Sequence, residues 1–285
     1  MQPNENIIIL GSGKLGTALH SYLNRHHVNS ILLGRKEVDI CDEFKVKSFF
    51  KNTKPKIVVN TAAITNLDFA EKNRDIAFKV NEKGPEILAK ECSRIQSKLL
   101  HISTDHVFSS TSLYLFKPFD EYCPINVYGE SKALGEIAIK KYHQDGSTIL
   151  RTAWLYSKQN ENFYTNIIKY YHLNKKVIDV VNDQFGHPTS IYTIVELLMS
   201  LIKNGCSIPI VHAVSSDWTS RFHFAQKIIE LSKLEVERLN PIESSKRSEI
   251  AKRPTYSILC TTQNDSLTKT IMKSWEFQLR DLIDN

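Results

Sequence analysis

Two residues in one helix-like stretch have side chains that could transfer a proton together. Tyr128 and Lys132 are four residues apart, and the apolar residues that follow them recur at helical spacing. The sequence therefore predicts that both side chains lie on one face of the first turns of a helix. A free phenol has a pKa near ~10, and a neighbouring ammonium favours the phenolate and lowers that pKa. Such a pair could donate a proton to an oxygen that becomes an alkoxide, although a Tyr four residues before a Lys is more often a solvated pair.

A glycine-rich turn near the start of the chain has the spacing of a dinucleotide-binding fingerprint. The apolar run 7–10 predicts a strand buried on both faces, and Gly-Ser-Gly-Lys-Leu-Gly (11–16) follows it directly. Gly11 would permit the tight turn, Gly13 the approach of a pyrophosphate, and Gly16 close packing of helix on strand. A plain strand-to-helix turn is the alternative interpretation. The predicted cofactor contacts in this turn are Gly11, Gly13, Lys14, Leu15 and Gly16.

The end of the second predicted strand favours NADP over NAD. An acidic residue there would accept a hydrogen bond from the ribose 2′-hydroxyl, but the chain has Arg35 and no acid before Glu37. Arg35 could bind a 2′-phosphate, so NADPH is the predicted cofactor and NADH its alternative. A solvent-exposed arginine without a ligand is the other interpretation. Asp39 and Ile40 are predicted to flank the adenine, although the acidic residues of this segment could instead cap the next helix.

A hydroxyl group directly follows the fourth predicted strand. Thr104 lies between Ser103 and Asp105, at the carboxyl end of the predicted strand 98–103. A hydroxyl at that edge of a parallel sheet can hold a substrate oxygen beside the Tyr128 phenol. A turn in which the Thr104 hydroxyl only caps the loop is the alternative.

Short apolar segments alternate with helix-like segments over the first half of the chain. This alternation predicts an α/β, Rossmann-type, doubly wound parallel sheet with helices on both faces. Residues 1–155 and about 186–214 are predicted to form the NAD(P)-binding domain, and about 156–185 and 215–285 a smaller C-terminal substrate-binding domain. The predicted strands are 7–10, 28–33, 56–60, 98–103, 148–151, 177–181 and 208–213. The predicted helices include 44–50, 75–92, 163–173, 191–202, 222–234 and 267–275, the last in a tail that is otherwise irregular from 240.

Composition and charge argue against several other classes of protein. The 285 residues are 41% hydrophobic and 24% charged, an ordinary globular balance. The net charge of +6 suits a small anionic ligand, and no dense basic run predicts nucleic-acid binding. No apolar run reaches ~18 residues, so no membrane span is predicted and the expected compartment is the cytoplasm. The five cysteines are widely spaced and predict reduced thiols, and no ligand cluster predicts a metal site.

Further motifs, in order along nearly the whole chain, resemble one enzyme family. This set resembles the extended short-chain dehydrogenase/reductases, and more narrowly the dTDP-4-dehydrorhamnose reductases and their sugar-nucleotide relatives. The resemblance implies that hydride passes from NADPH to the keto carbon of a nucleotide-linked 4-keto-6-deoxy sugar. The motifs include Val-Asn-Thr-Ala-Ala (59–63), Ser-Thr-Asp-His-Val-Phe (103–108), Tyr-Gly-Glu-Ser-Lys (128–132), Leu-Arg-Thr-Ala-Trp (150–154), Asp-Gln-Phe-Gly-His-Pro-Thr (183–189) and Arg-Pro (253–254).

The resemblance also implies roles for single residues. Tyr128 would be the proton donor, Lys132 would tune it and bind the nicotinamide ribose, and Thr104 would orient the keto oxygen. The residues implied to border the cofactor are Asn60, Ala62 and Ala63. The residues implied to contact the substrate are Thr65, Thr104, Asp105, His106, Tyr128, Trp154, Gln184 and Arg253.

Three departures from the family pattern bear on function. The glycine loop is one residue shorter than usual, His106 stands where a Tyr is common, and Phe108 is followed by Ser-Ser-Thr rather than a glycine-containing turn. The last two touch the substrate side, so the sugar could differ from dehydrorhamnose. Two other functions remain open: a regulatory subunit resembling the methionine adenosyltransferase beta subunit, and a nucleotide-sugar epimerase. The chain could also form a homodimer.

Overall fold

Residues 7–173, 177–205, 208–235 and 238–284 are described by a computed structural model. The strands of its main sheet are β1 (Ile7–Leu10), β2 (Ser30–Leu33), β3 (Ile57–Asn60), β4 (Lys98–Thr104), β5 (Ser147–Thr152) and β10 (Ile210–His212). These six strands are all parallel and lie in the order β10-β5-β4-β3-β1-β2. The order confirms the predicted Rossmann-type α/β fold, in which ligands bind beyond the carboxyl ends of the strands.

Helices cover both faces of this sheet because side chains alternate along each buried strand. Ile7 and Ile9 pack in one core with helices α1 (Lys14–Arg25) and α8 (Ile191–Asn204), whereas Ile8 and Leu10 pack in a second core with α2 (Glu43–Thr53) and α5 (Gly84–Ile95). The apolar run of β1 is thus buried on both faces, as predicted. The helices are α1 (Lys14–Arg25), α2 (Glu43–Thr53), α3 (Leu67–Lys72), α4 (Arg74–Phe78), α5 (Gly84–Ile95), α6 (Val127–His143), α7 (Phe163–Leu173), α8 (Ile191–Asn204), α9 (Arg221–Leu231), α10 (Ser266–Ile271) and α11 (Trp275–Asp284).

The single helix predicted over 75–92 is interrupted in the structure. A π-helical turn, Lys79–Lys83, separates α4 from α5. Asn81 in this turn is buried, and its side chain bonds both the N–H and the carbonyl of Ile64 and the hydroxyl of Ser131. These bonds are made to distant segments, so helical periodicity alone did not reveal the wide turn. The short helix α3, which Asn66 caps, was not predicted either.

A separate apolar core lies among α7, α9 and α11. Tyr156, Phe224 and Trp275 are buried in it, beside a two-stranded parallel sheet of β7 (Ile178–Val181) and β12 (Leu239–Ile242). The prediction of an irregular tail from residue 240 was wrong at its start, because β12 runs to Ile242, and the late helix predicted over 267–275 is divided into α10 and α11. Its Asn-Pro sequence is a weak strand signal, and the strand forms by pairing with β7. The predicted division into two domains stays a prediction.

Two further pairs of short strands are present in the described chain. The remaining strands are β6 (Leu155–Tyr156), β8 (Phe185–Gly186), β9 (Thr189–Ser190) and β11 (Thr219–Ser220). Strand β6 pairs with β9, and β8 pairs with β11. None of the helices in the described ranges is long and apolar enough to cross a membrane. Cys41, Cys92, Cys123 and Cys260 are free thiols, and Cys206 lies outside the described residues.

Candidate active site

The carboxyl end of β4 and the first turn of α6 bring Thr104 and Tyr128 together. Asn126 caps α6 by accepting the N–H of Gly129, which places Tyr128 in the first turn. Thr104 ends β4 and forms a hydrogen bond with the Tyr128 phenol. The Thr104 hydroxyl also donates to Asp105 Oδ1 over 3.0 Å and accepts the N–H of His106. The hydroxyl and the phenol that the sequence singled out therefore lie together, and Tyr128 is buried rather than part of a solvated surface pair. The Thr104 hydroxyl also caps the turn that follows β4, as the alternative interpretation proposed.

The electrostatic surroundings of Tyr128 differ from the prediction. Burial raises the pKa of Tyr128 to about 12, the hydrogen bond with Thr104 offsets part of this rise, and the Asp105 carboxylate adds to it. The predicted lowering of this pKa by Lys132 was therefore wrong for the protein without ligands. The physical reason is that the Lys132 amine is bonded elsewhere.

Lys132 is directed at β4. Its side chain is buried, and Nζ lies 2.6 Å from the carbonyl oxygen of Ile102 and 2.9 Å from Nε2 of His101. Burial lowers the pKa of Lys132 to about 8, against an opposing effect of Glu136. Lys132 is consequently a buried amine that gains or loses its proton near neutral pH.

A buried hydrogen-bond chain joins Lys132 to the end of β3. Asn60 Oδ1 accepts the N–H of Ala62, which directs Nδ2 of Asn60 at Nδ1 of His101 over 3.0 Å. Burial and Lys132 hold the pKa of His101 well below its ordinary value, so this imidazole is neutral. Since its Nδ1 accepts from Asn60, the ring carries its proton on Nε2, facing Lys132.

A buried ion pair holds α6 against the sheet. Arg151 on β5 contacts Glu136 on α6 with Nη2 2.7 Å from Oε2, and neither side chain is exposed. Ser103 donates to Glu136, and Arg151 also donates to the carbonyl of Pro118. These bonds satisfy the two buried charges and position the helix that carries Tyr128.

The glycine turn has the shape that a pyrophosphate site requires. Gly11 has a φ of +106°, and a Cβ added to Gly16 would lie 2.0 Å from the carbonyl oxygen of Gly11. A Cβ added to Gly13 would meet nothing within 4 Å, so this side of the turn is open. No side chain of the described residues caps α1 at Gly13, which leaves its first N–H groups available for an anion. The residues present therefore fit a dinucleotide phosphate.

Two other predicted cofactor residues in this turn have protein contacts of their own. The amine of Lys14 donates to the carbonyl of Glu161, and Leu15 packs in the core below β1. A contact of these residues with the phosphates would therefore come from the backbone or from a rearranged lysine side chain.

The segment after β2 contains an exposed arginine held by one carboxylate. Arg35 is 78% exposed, and its Nε lies 3.1 Å from Oδ2 of Asp39. The exposed guanidinium keeps further N–H groups that suit a 2′-phosphate. Asp42, not Asp39, caps α2 by accepting the N–H of Lys45, as the alternative interpretation proposed. Ile40 is buried, and a Cβ on Gly84 would contact its side chain.

A cavity of about 650 Å³ lies beside the Thr104–Tyr128 pair. This volume suits a ligand the size of a nucleotide sugar. Asp105 is buried at its edge, where Oδ2 accepts the hydroxyl of the cavity residue Ser257 over 2.6 Å. The predicted substrate residues that line the cavity are Thr65, His106, Trp154, Gln184 and Arg253.

His106, the departure from the usual Tyr, faces this cavity and stays neutral. Its Nδ1 lies 3.1 Å from Nδ2 of Asn126, and its ring meets that of Tyr128 edge-on at 5.6 Å between centroids. Burial lowers the pKa of His106, and the positive charges of Arg221 and Arg253 lower it further, against Asp105. A neutral His106 presents an N–H to the cavity, which suits a hydrogen bond to a sugar hydroxyl or keto group.

Comparisons with known proteins cover nearly the whole chain. The family model described as RmlD substrate binding domain matches residues 5–285. The chain belongs to the RmlD family. A dTDP-4-dehydrorhamnose reductase from Mycolicibacterium smegmatis is 31% identical over 281 residues, covering 98% of this chain and 85% of the relative. A dTDP-4-keto-6-deoxy-D-glucose reductase from Streptomyces niveus is 31% identical over 248 residues, which cover 87% of this chain and 85% of the relative.

A solved RmlD-family structure agrees with the fold in detail. The dTDP-4-dehydrorhamnose reductase from Bacillus anthracis, crystallised in complex with NADP, has a TM-score of 0.90 at 32% identity. The match covers 99% of each chain. The family resemblance drawn from the motifs is thereby confirmed, whereas the roles of single residues stay predictions.

Sequence reasoning missed several residues of this RmlD-family site. His101 interrupts the apolar run of β4, and a polar residue inside a buried strand was the signal available. Arg221 and Ser257 line the cavity without any motif around them. Within the described residues, no three His, Cys or carboxylate side chains cluster as metal ligands, and the absence of a metal stays a prediction.

Proposed function

We propose that this RmlD-family protein is an NADPH-dependent reductase of a nucleotide-linked 4-keto-6-deoxy sugar of the dTDP-4-dehydrorhamnose class. The observation that carries the proposal is the Thr104–Tyr128 pair, which contacts His106 in the lining of a cavity large enough for a nucleotide sugar. The relatives named above act on two such keto sugars, and the solved relative holds NADP. The protein is accordingly an oxidoreductase that acts on a nucleotide sugar.

Bound NADPH would supply the hydride for the keto carbon. Residues Gly11 to Gly16 and the N-terminus of α1 would hold its pyrophosphate, and Arg35 would bind the 2′-phosphate. Asn60, Ala62 and Ala63, at the end of β3, would border the nicotinamide half, beside Lys132.

Tyr128 would give its proton to the carbonyl oxygen as that oxygen becomes an alkoxide. Its raised pKa keeps the phenol protonated at neutral pH, so the group is ready to donate. Thr104 would share the same oxygen and fix its orientation. Lys132, once protonated, would stabilise the phenolate that remains and bind the nicotinamide ribose.

The proposal is tested by following NADPH oxidation with a panel of nucleotide-linked 4-keto-6-deoxy sugars. The parent should consume NADPH with at least one of them, and the sugar product should carry a new secondary alcohol. Stoichiometric capture of a partner protein, with no oxidation across the panel, would instead support a regulatory subunit. Interconversion of sugar epimers without net consumption of NADPH would support an epimerase.

Compartment and oligomeric state are two further properties of the proposed enzyme. The free thiols of the described chain fit the reducing cytoplasm expected from the sequence. Formation of a homodimer stays a prediction, to be checked by light scattering of the purified protein.

A further inference from the structure

Arg221 presents a positive charge to the cavity without a hydrogen-bond acceptor. It is the first residue of α9, and its Cζ lies 3.7 Å from the ring centroid of Trp154 and 5.1 Å from that of Phe163. Among the residues that the structure describes, no carboxylate or carbonyl accepts a bond from its guanidinium. Contact with the aromatic rings stabilises the cation and fixes its orientation, but the N–H groups of the fork are left for a ligand.

Two other arginines line the same cavity, and the side chains of both already have acceptors within the protein. Arg253 contacts Asp68 over 2.9 Å and Glu249 over 3.5 Å. Arg247 donates to the carbonyl of Asp179 over 2.9 Å. Arg221 thus differs from both neighbours, because no carboxylate or carbonyl of the described residues accepts a hydrogen bond from its guanidinium.

Gln184 provides a second donor without an acceptor beside Arg221. Its backbone carbonyl accepts the backbone N–H of Arg221 over 3.0 Å, which ties the two residues together. The Gln184 side chain is only 8% exposed, and no described residue accepts a bond from its Nε2. A buried amide donor without an acceptor is costly, so an acceptor-rich ligand at this point would stabilise the protein.

The position of Arg221 indicates which part of a nucleotide sugar it faces. Its charge acts on His106 at the catalytic end of the cavity, and it interacts with Asp105, Glu249 and Arg253. The cavity is also lined by β7, including the apolar residues Ile178 and Val180. In a nucleotide sugar the diphosphate is attached directly to the sugar, so a sugar held at the catalytic end would place the diphosphate near Arg221.

We infer that Arg221 and the Gln184 amide bind the diphosphate of the nucleotide sugar, an inference that rests on the proposed function. The planar guanidinium matches two phosphate oxygens, and Arg253 adds a second positive charge close by. Trp154 holds the guanidinium in place, because its ring centroid lies 3.7 Å from Cζ of Arg221. Burial lowers the pKa of Arg221 to about 10, which still leaves it charged at neutral pH.

The test compares the dissociation constants of dTDP, dTMP and thymidine by calorimetry, in the presence of saturating NADPH. Arg221→Leu should weaken the binding of dTDP by about 10- to 100-fold, as expected for the loss of a charge-assisted bond. It should weaken the binding of dTMP less, and the affinity for thymidine should stay within about 2-fold of the parent, since the nucleoside contacts are elsewhere. Arg221→Lys, which keeps the charge but loses the fork, should fall between the parent and Arg221→Leu.

Lys227→Gln is the matched control, because it removes a positive charge from the same helix, where Lys227 pairs with Glu230. It should bind dTDP as the parent does. Equal dTDP affinity in Arg221→Leu and the parent would overturn the inference, as would an equal loss of thymidine and dTDP affinity. A parent that binds NADPH but neither dTDP nor dTMP would refute the proposed function, and the inference with it. Melting temperatures show whether each variant is folded. If Arg221→Leu is not folded, the dTDP affinity of Arg221→Lys tests the inference instead.

Discussion

The Nζ atom of Lys132 lies 2.9 Å from Nε2 of His101. Because Asn60 donates to the other ring nitrogen, the neutral imidazole carries its proton on Nε2 and directs it at Lys132. An ammonium has no lone pair to accept that proton, whereas a neutral amine does. The hydrogen bonds and the lowered pKa of Lys132 therefore agree that the buried amine loses its proton easily in the protein without ligands.

This relationship predicts a pH-dependent stability difference between the parent and Lys132→Met. The pKa of Lys132 is about 8 in the folded chain, against an ordinary value of 10.5, so the folded state binds fewer protons between these values. Stability from this group therefore rises with pH across that window. Lys132→Met should be more stable than the parent at pH ~7, by an amount on the order of 3 kcal/mol, and the advantage should shrink toward pH ~10.

Urea unfolding of both proteins between pH ~6.5 and ~9.5 measures this difference. Lys51→Met, at an exposed lysine of α2, is the control and should follow the parent at every pH. A Lys132→Met protein whose stability relative to the parent does not vary with pH would contradict the assignment. The same variant should lose reductase activity, because the proposed partner of the phenolate is gone.

Tyr128→Phe should remove the proton donor and leave cofactor binding intact. Turnover should fall by about 10²- to 10⁴-fold, the usual contribution of a positioned acid, while the dissociation constant of NADPH stays near that of the parent. Single-turnover NADPH oxidation with the keto sugar measures the chemical step. Tyr142→Phe makes the same chemical change farther along α6 and should keep full activity. Parent-like turnover in Tyr128→Phe would show that another group is the acid.

Two glycines of the first turn should respond differently to the same methyl group. In Gly16→Ala the new Cβ would meet the carbonyl of Gly11 at 2.0 Å, so the melting temperature without ligands should fall. In Gly13→Ala the Cβ enters open space, so the fold should be unaffected and only NADPH binding should weaken.

Thermal unfolding with and without NADPH separates the two effects, since a ligand of the folded state raises its melting temperature. Each variant serves as the control for the other. If Gly13→Ala kept the full NADPH-induced shift, the pyrophosphate would have to bind elsewhere.

Arg35→Ala should reduce the preference for NADPH over NADH. The guanidinium is exposed and held at one edge by Asp39, with its terminal nitrogens available for a 2′-phosphate. Loss of one charge-assisted contact should lower kcat/KM for NADPH by about 10-fold and leave that for NADH unchanged. Lys36→Ala, at the next exposed residue, is the comparison. An unchanged ratio of the two cofactors would place the 2′-phosphate away from Arg35.

Local patterns in the sequence were sufficient for the sheet, the glycine turn and the helix that carries Tyr128. The run Ile7–Leu10 is apolar at every position, and a strand with that pattern must be covered on both faces. The four-residue spacing of Tyr128 and Lys132 likewise follows from helical geometry alone. Such features depend on neighbours within a few residues, so the chain specifies them before it folds.

Tertiary structure decided the electrostatics and the shape of the site. Lys132 bonds His101, 31 residues away, rather than the Tyr128 phenol, and burial rather than an adjacent charge sets the pKa of both Tyr128 and Lys132. Strand β12 exists because β7 pairs with it, and Arg221 enters the cavity because α9 begins beside Gln184. Burial and contacts between distant segments are properties of the folded chain, and no spacing along the sequence encodes them.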